Sequence, residues 1–242
     1  MPPRFFVDQA LATPGELNLP PACARHVQVL RLQPGALITL FDGSGDEWQA
    51  EVLAMGRSEV RVQLLSRQPA QRELAQDVTL AVVMPANDRM DGLVEKATEL
   101  GVAGIQPLMS ERSVLRLNAE RAEKKVAHWS GVAIAACEQS GRSRPPRIAP
   151  VRTLAAWLQD LSPADPLQER RWLLSPGSAQ PLAAQAAAPR TLVLSGPEGG
   201  LSAAEEDAAR ARGFVAMNLG PRILRADTAP LAVLAWLALQ SA

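Results

Sequence analysis

Histidine and cysteine are scarce in this sequence: its 242 residues include two histidines, His26 and His128, and two cysteines, Cys23 and Cys137. The cysteines are far apart in the chain, so no metal site is expected. Free thiols fit a reducing cytoplasm. An excess of one charge is also missing, with 25 basic and 25 acidic residues, so the whole-chain charge gives no hint of a polyanionic partner. Long apolar runs are absent too. The opening MPPRFFVDQ has no core of signal-peptide length, and the closing APLAVLAWLALQSA is too short to span a bilayer and reads as a buried helix. Neither a membrane nor a metal is expected among the partners.

What is present is a chain that is 47% apolar, enough for two modest domains. Its charge is unevenly spread. Between Ser110 and Arg152 nine basic residues stand against four acidic ones. NAERAEKK, with alternating signs, reads as a solvated helix face, whereas GRSRPPR carries Arg142, Arg144 and Arg147 with no acid among them.

Up to about Arg72, the short β-like runs ALITLFDG, EWQAEVLAM and SEVRVQLLS are punctuated by DGSGD and GRS, as in a small barrel. RQPAQREL is a linker candidate, so the expected division is 1–72 and 73–242. From Val78 the rhythm alternates. VTLAVVM, GIQPLM, RWLLS, TLVLS and FVAMNL read as strands, and between and after them lie helical patterns, including one from about Asn118 to Gln139 and one from Ser202 to Arg212. That alternation predicts an α/β domain with a mainly parallel sheet covered on both faces. The Ala-rich PLAAQAAAP is the one low-complexity stretch.

Two loops carry the chemistry. In LSGPEGGLSAAEE, Leu194 to Glu206, a strand runs into a Gly-rich turn and then a helix start, with Ser202 three residues before Glu205 at capping-box spacing. Ligands of α/β proteins usually sit at such strand ends. The segment lacks the Lys-Ser/Thr ending of a phosphate loop and the G-x-G-x-x-G of a dinucleotide fold, which disfavours a triphosphate. LGPRILRADTAP leaves FVAMNL on the same edge, so adjacent strands would merge the two loops into one pocket. In it Ile223 and Leu224 suit a flat ring, and Asp227 or Thr228 suits the cap of the last helix.

GPEGGLSAAE and LGPRILRADTA, with DRMDGLVEKATELGV, SERSV and CEQSGRSRPP, resemble the bacterial 16S ribosomal RNA (uracil-N3)-methyltransferase family, of the SPOUT superfamily. HVQVLRL and LFDG are similar to its PUA-like N-terminal domain, so the resemblance spans nearly the whole chain. It departs at Ala86 and Gly92, where the family often has Lys and Trp. The implied fold is a PUA-like RNA-binding β-barrel followed by a trefoil-knotted α/β methyltransferase domain. Periodicity alone points to an unknotted sheet.

The resemblance further implies a homodimer, S-adenosylmethionine as cofactor, and 16S ribosomal RNA or the small ribosomal subunit as substrate. Residue by residue, the cofactor cleft comprises Leu173, Leu174 and Ser175; Leu194, Ser195, Gly196, Pro197, Glu198, Gly199 and Gly200; and Leu219, Gly220, Pro221, Ile223 and Leu224. The N3 of neutral uracil carries a proton, so the site must favour the imide anion or remove the proton. Arg225 is the candidate cation, with a salt bridge to Asp227 or the last helix's capping network as its structural alternative. Glu198 is the candidate base, with bracing of its own loop as the alternative. Arg4, Arg25, Arg31, Arg112, Arg142, Arg144 and Arg147 are candidate RNA contacts, because the planar guanidinium matches phosphate oxygens. Another RNA methyltransferase of the superfamily, or a non-catalytic RNA-binding module, are the alternatives.

Overall fold

The computed structural model describes residues 2–86, 89–178, 180–182 and 188–240. Most of the Ala-rich stretch, and Asn87 and Asp88 ahead of the first helix of the α/β domain, lie outside these residues. The chain divides into two compact units, 1–73 with 134–145, and 74–133 with 146–242.

The first unit is a five-stranded sheet. Its elements are β1 (Arg4–Phe6), β2 (Gly15–Asn18), α1 (Pro21–Val29), β3 (Leu37–Phe41), β4 (Asp46–Met55) and β5 (Val60–Pro69), in the order β1-β3-β4-β5-β2. Only β1 and β3 pair in parallel. In β5, Val60, Val62 and Leu64 point inward, where they meet Phe5, Ile38, Leu40, Trp48 and Val27 of α1. The short β1 and β2 escape the sequence pattern, as does α1, which starts at Pro21 in a Pro-Pro pair. Proline is tolerated there because the first helical N–H has no intrahelical partner.

Segment 134–145 joins this unit through buried charge. Arg4, 7% exposed, pairs with Glu47 and donates to Ser143 Oγ and to the Arg142 carbonyl. Arg142, 3% exposed, pairs with Glu73, and Arg72 bridges Glu47 to the Gly141 carbonyl.

The second unit is α/β. It comprises β6 (Asp77–Val83), α2 (Arg89–Glu99), β7 (Gly104–Met109), α3 (Ala119–Ser140, whose residues from Ile134 cluster with the first unit), β8 (Arg147–Ile148), β9 (Arg152–Thr153), α4 (Leu154–Asp160), β10 (Glu169–Leu174), β11 (Arg190–Ser195), α5 (Ala203–Ala211), β12 (Val215–Met217) and α6 (Thr228–Gln240). The sheet runs β12-β10-β11-β6-β7-β8, with β9 also on β7, and all its pairings are parallel.

Alternation along the strands builds two cores. Val78, Leu80 and Val82 of β6, Trp172 of β10 and Val193 of β11 pack with Met90, Leu93, Trp129, Val233 and Leu234 from α2, α3 and α6. Ala81 and Val83, Leu173, and Leu192 and Leu194 turn to the other face, against Leu154, Trp157, Leu158 and Ala209 from α4 and α5. Near-continuous apolar strands are what a sheet covered on both faces requires. The two functional strands are not neighbours, because β10 runs between β11 and β12.

Candidate functional site

That insertion makes the site three-sided. Leu174 of β10 is in register with Ser195 of β11 and with Met217 of β12, so the three strands end level on one edge of the sheet. The loops that follow enclose a cavity of about 440 Å³, within the usual size for a small-molecule site, roughly 300–1,000 Å³. Of the expected cofactor residues, Leu174, Ser175, Ser195, Gly196, Pro197, Glu198, Gly199, Gly200, Leu219, Gly220, Ile223 and Leu224 line it, as does Arg225. Leu173 and Leu194 are instead fully buried in the core toward α4 and α5, since alternate strand residues face opposite ways. Pro221 is exposed and outside the lining.

Each wall has a local cause. In the first loop the Gly200 N–H closes a turn onto the Pro197 carbonyl, at 2.9 Å, with Gly200 at φ +68°, a left-handed conformation that favours glycine. The loop ends in a complete capping box: Ser202 Oγ accepts the Glu205 N–H, and the Glu205 carboxylate accepts the Ser202 N–H. In the second loop Gly220, at φ +96°, turns the chain, and its N–H donates to Asn218 Oδ1. The third wall, after β10, is pinned to β12: the Ser175 N–H donates to the Met217 carbonyl, Ser178 Oγ to the Ala216 carbonyl, and Asn218 Nδ2 to the Ser178 carbonyl.

The charged groups of the cavity differ in what already holds them. Glu198 Oε1 accepts the Ala86 N–H at 3.1 Å and pairs with Arg89 at 3.3 Å, so its carboxylate braces the loop after β6. Glu206 accepts from Ser175 Oγ and pairs with Arg210. Arg225 is exposed, and among the described residues its guanidinium forms no ion pair; the bridge to Asp227 that the spacing allows is not made. Its carbonyl accepts the Thr228 and Ala229 N–H groups that open α6.

Sequence reasoning passed over Pro176, Leu201, Glu206, Met217, Asn218, Arg222, Ala226 and Ala229, all of which line the cavity. Leu201, Glu206, Arg222, Ala226 and Ala229 all stand inside the two quoted loops, and which of them reach the cavity depends on how α5 and α6 pack.

The arginines separate by environment. Arg25, Arg31, Arg112, Arg144 and Arg147 are exposed. The side chains of Arg4 and Arg142 are each 4% exposed and ion-paired, so a phosphate could reach them only by breaking those pairs. The loop GRSRPPR thus has an acid after all: Glu73, distant in sequence, meets Arg142. Arg112 turns toward the loop after β11, where it donates to the Gly199 carbonyl. Among the described residues no three His, Cys, Asp or Glu side chains group as a metal site, and no helix is long and apolar enough to cross a membrane.

Residues 72–238 match the model of an RNA methyltransferase domain, and residues 22–65 that of an RNA methyltransferase PUA domain. The ribosomal RNA small subunit methyltransferase E of Bacillus subtilis is 31% identical, over 89% of this chain and 86% of its own length. Its counterpart from Synechocystis is 36% identical, over 86% of this chain and 67% of its own. The crystal structure of the Neisseria gonorrhoeae ribosomal RNA small subunit methyltransferase E bound to S-adenosyl methionine is similar at a TM-score of 0.90 and 34% identity, over 99% of this chain and 98% of that one.

Proposed function

Because the chain belongs to the RNA methyltransferase family, among the small subunit ribosomal RNA methyltransferases E, we propose that it methylates the N3 atom of a uridine in 16S ribosomal RNA with S-adenosylmethionine. The observation that carries this reading is the cavity shared by the loops after β10, β11 and β12. Its residues suit the cofactor. Leu174, Met217, Leu219, Ile223 and Leu224 offer apolar surface for a flat base, and the glycines let backbone N–H and C=O groups approach its polar edges. When bound, the cofactor supplies an electrophilic methyl group.

The chain's own part is electrostatic. Arg225, a cation at the cavity whose guanidinium forms no ion pair among the described residues, is placed to favour the imide anion of uracil. A donor that stabilises developing charge is worth about 2.7–4 kcal/mol. Glu198 is assigned to bracing rather than to proton abstraction, since an N–H and a guanidinium already hold its carboxylate. RNA contacts are assigned to Arg25, Arg31, Arg144 and Arg147, which are exposed. A splayed or single-stranded target follows from the chemistry, because N3 is hidden in a Watson–Crick pair.

The trefoil knot, the homodimer and a cytoplasmic location belong to the same proposal. β12 lies at the sheet edge while α6 packs on β11 and β6 at its middle, a return path consistent with threading. The helix α6 has almost no polar residues, and Leu239 on it is 77% exposed, which favours a second copy as its cover. Calorimetry with S-adenosylmethionine tests the reading: micromolar-range binding is expected, and no binding at near-physiological cofactor would remove it.

A further inference from the structure

The loop from Ser195 to Leu201 is held from outside the cavity by a side chain that belongs to another strand's loop. Arg112 follows β7, which is separated from β11 by β6. Its Nη1 donates to the Gly199 carbonyl at 2.9 Å and to the Leu201 carbonyl at 3.3 Å. Its neighbour Glu111 donates its N–H to Glu205 Oε1 at 2.9 Å, on the carboxylate that closes the capping box. The arginine's own loop is fixed in turn: Ser113 Oγ accepts the Ser110 N–H, and Arg116 donates to the Glu111 carbonyl.

The consequence lies in the peptide planes. The two carbonyls held by Arg112 flank Gly200, the left-handed residue of the loop. With the Gly199 carbonyl turned to the guanidinium, the Gly200 N–H on the same peptide is directed to Pro197. With the Leu201 carbonyl likewise turned, the Ser202 N–H meets Glu205. One cation therefore sets two peptide orientations in a glycine-rich segment that has few side chains of its own to do so.

We propose that Arg112 is a positioning residue for the cofactor loop and not a phosphate contact. It preorganises the backbone between Gly196 and Gly200, so that binding does not have to order that segment. The proposal rests on the S-adenosylmethionine reading for the identity of the ligand, but not for the loop restraint itself.

The test compares the full-length protein with Arg112→Ala and Arg112→Lys in three measurements: amide hydrogen exchange from Gly200 to Ser202 without cofactor, S-adenosylmethionine affinity by calorimetry, and the salt dependence of affinity for a 16S RNA fragment. Arg112→Ala is expected to speed exchange in that segment and to weaken cofactor binding by about tenfold, with the salt slope unchanged. Arg112→Lys, which keeps a donor, is expected to fall between Ala and wild type. Unchanged exchange and cofactor affinity in Arg112→Ala, with a salt slope lower by roughly 0.7–0.9, would make Arg112 a phosphate contact and overturn the proposal. If the wild-type protein itself bound no S-adenosylmethionine, the functional reading would fail, and the exchange data alone would decide whether Arg112 holds the loop.

Discussion

Gly196 and Gly199 sit three residues apart in one loop and meet different constraints. A Cβ on Gly196 would lie 3.1 Å from Leu201 Cγ and 3.2 Å from the Leu201 nitrogen, whereas one on Gly199 would meet only Arg112 carbons at 3.8 Å. Gly199 is also outside the set of left-handed glycines, which includes Gly200. Gly196→Val is therefore expected to weaken cofactor binding at least tenfold, and Gly199→Ala to leave it near wild type. The reverse order in calorimetry would show that the loop's tight point has been misplaced. The thiols give a second residue-scale expectation. Burial, with Glu138 and Asp8 adding to it, pushes Cys23 up to about 12, and burial likewise pushes Cys137 up to about 12. Both should resist alkylation at pH 7.5 in the folded protein and react together on denaturation. Rapid modification of either in the native state would contradict their placement. The sign for stability follows: each contributes below its unfolded pKa of about 8.5, and that contribution is lost as the pH rises from there toward about 12.

Elements are joined by a few polar anchors that a periodic pattern does not reveal. Asp91 on α2 accepts from Trp129 Nε1 at 2.9 Å and from His128 Nε2 at 2.8 Å, both on α3. Burial works to raise its carboxyl, but the bonds from His128 and Trp129 and the nearby positive charge outweigh it and hold the group below the usual range. Asp91→Ala should thus destabilise the protein at pH 6 by about 1–3 kcal/mol, because it strands the indole N–H of a fully buried Trp129. The difference between the variant and wild type should shrink as the pH falls below about 3.9 through the lowered folded value. A pH-independent difference in denaturant midpoints would assign the loss to packing alone. At the start of α5, Ser202→Ala should cost about 1 kcal/mol, measurable in the same melts.

Five of the seven strands of the α/β unit were legible because buried parallel strands read as apolar runs, whereas the two-residue β8 and β9 leave no such run. The capping box could be read directly from Ser202 and Glu205. What was not legible depends on distance along the chain. β10 enters between β11 and β12, Glu73 finds Arg142, and 134–145 returns to the first unit. No local spacing encodes any of these, and two of them changed which arginines remain available to RNA or how the cleft is walled.

At the scale of the whole molecule, the exposure of Leu239 on the almost wholly apolar α6 predicts a mass by light scattering near twice 25.9 kDa. A monomer at micromolar concentration would leave that helix without a cover. Cofactor and RNA should also separate genetically. Arg225→Ala is expected to slow single-turnover methyl transfer by about 100-fold or more at saturating RNA and cofactor, while Arg144→Ala with Arg147→Ala should instead flatten the salt dependence of RNA binding. Equal loss of RNA affinity in both variants, with no change in rate for Arg225→Ala, would make Arg225 a phosphate contact. Methylation of uridine N3 in 16S ribosomal RNA is tested most directly by mass-spectrometric mapping of that RNA from cells with the gene, without it, and with it restored. One N3-methyluridine is expected to vanish on deletion and return with the wild-type gene. The same modification at full level in all three strains would contradict the account.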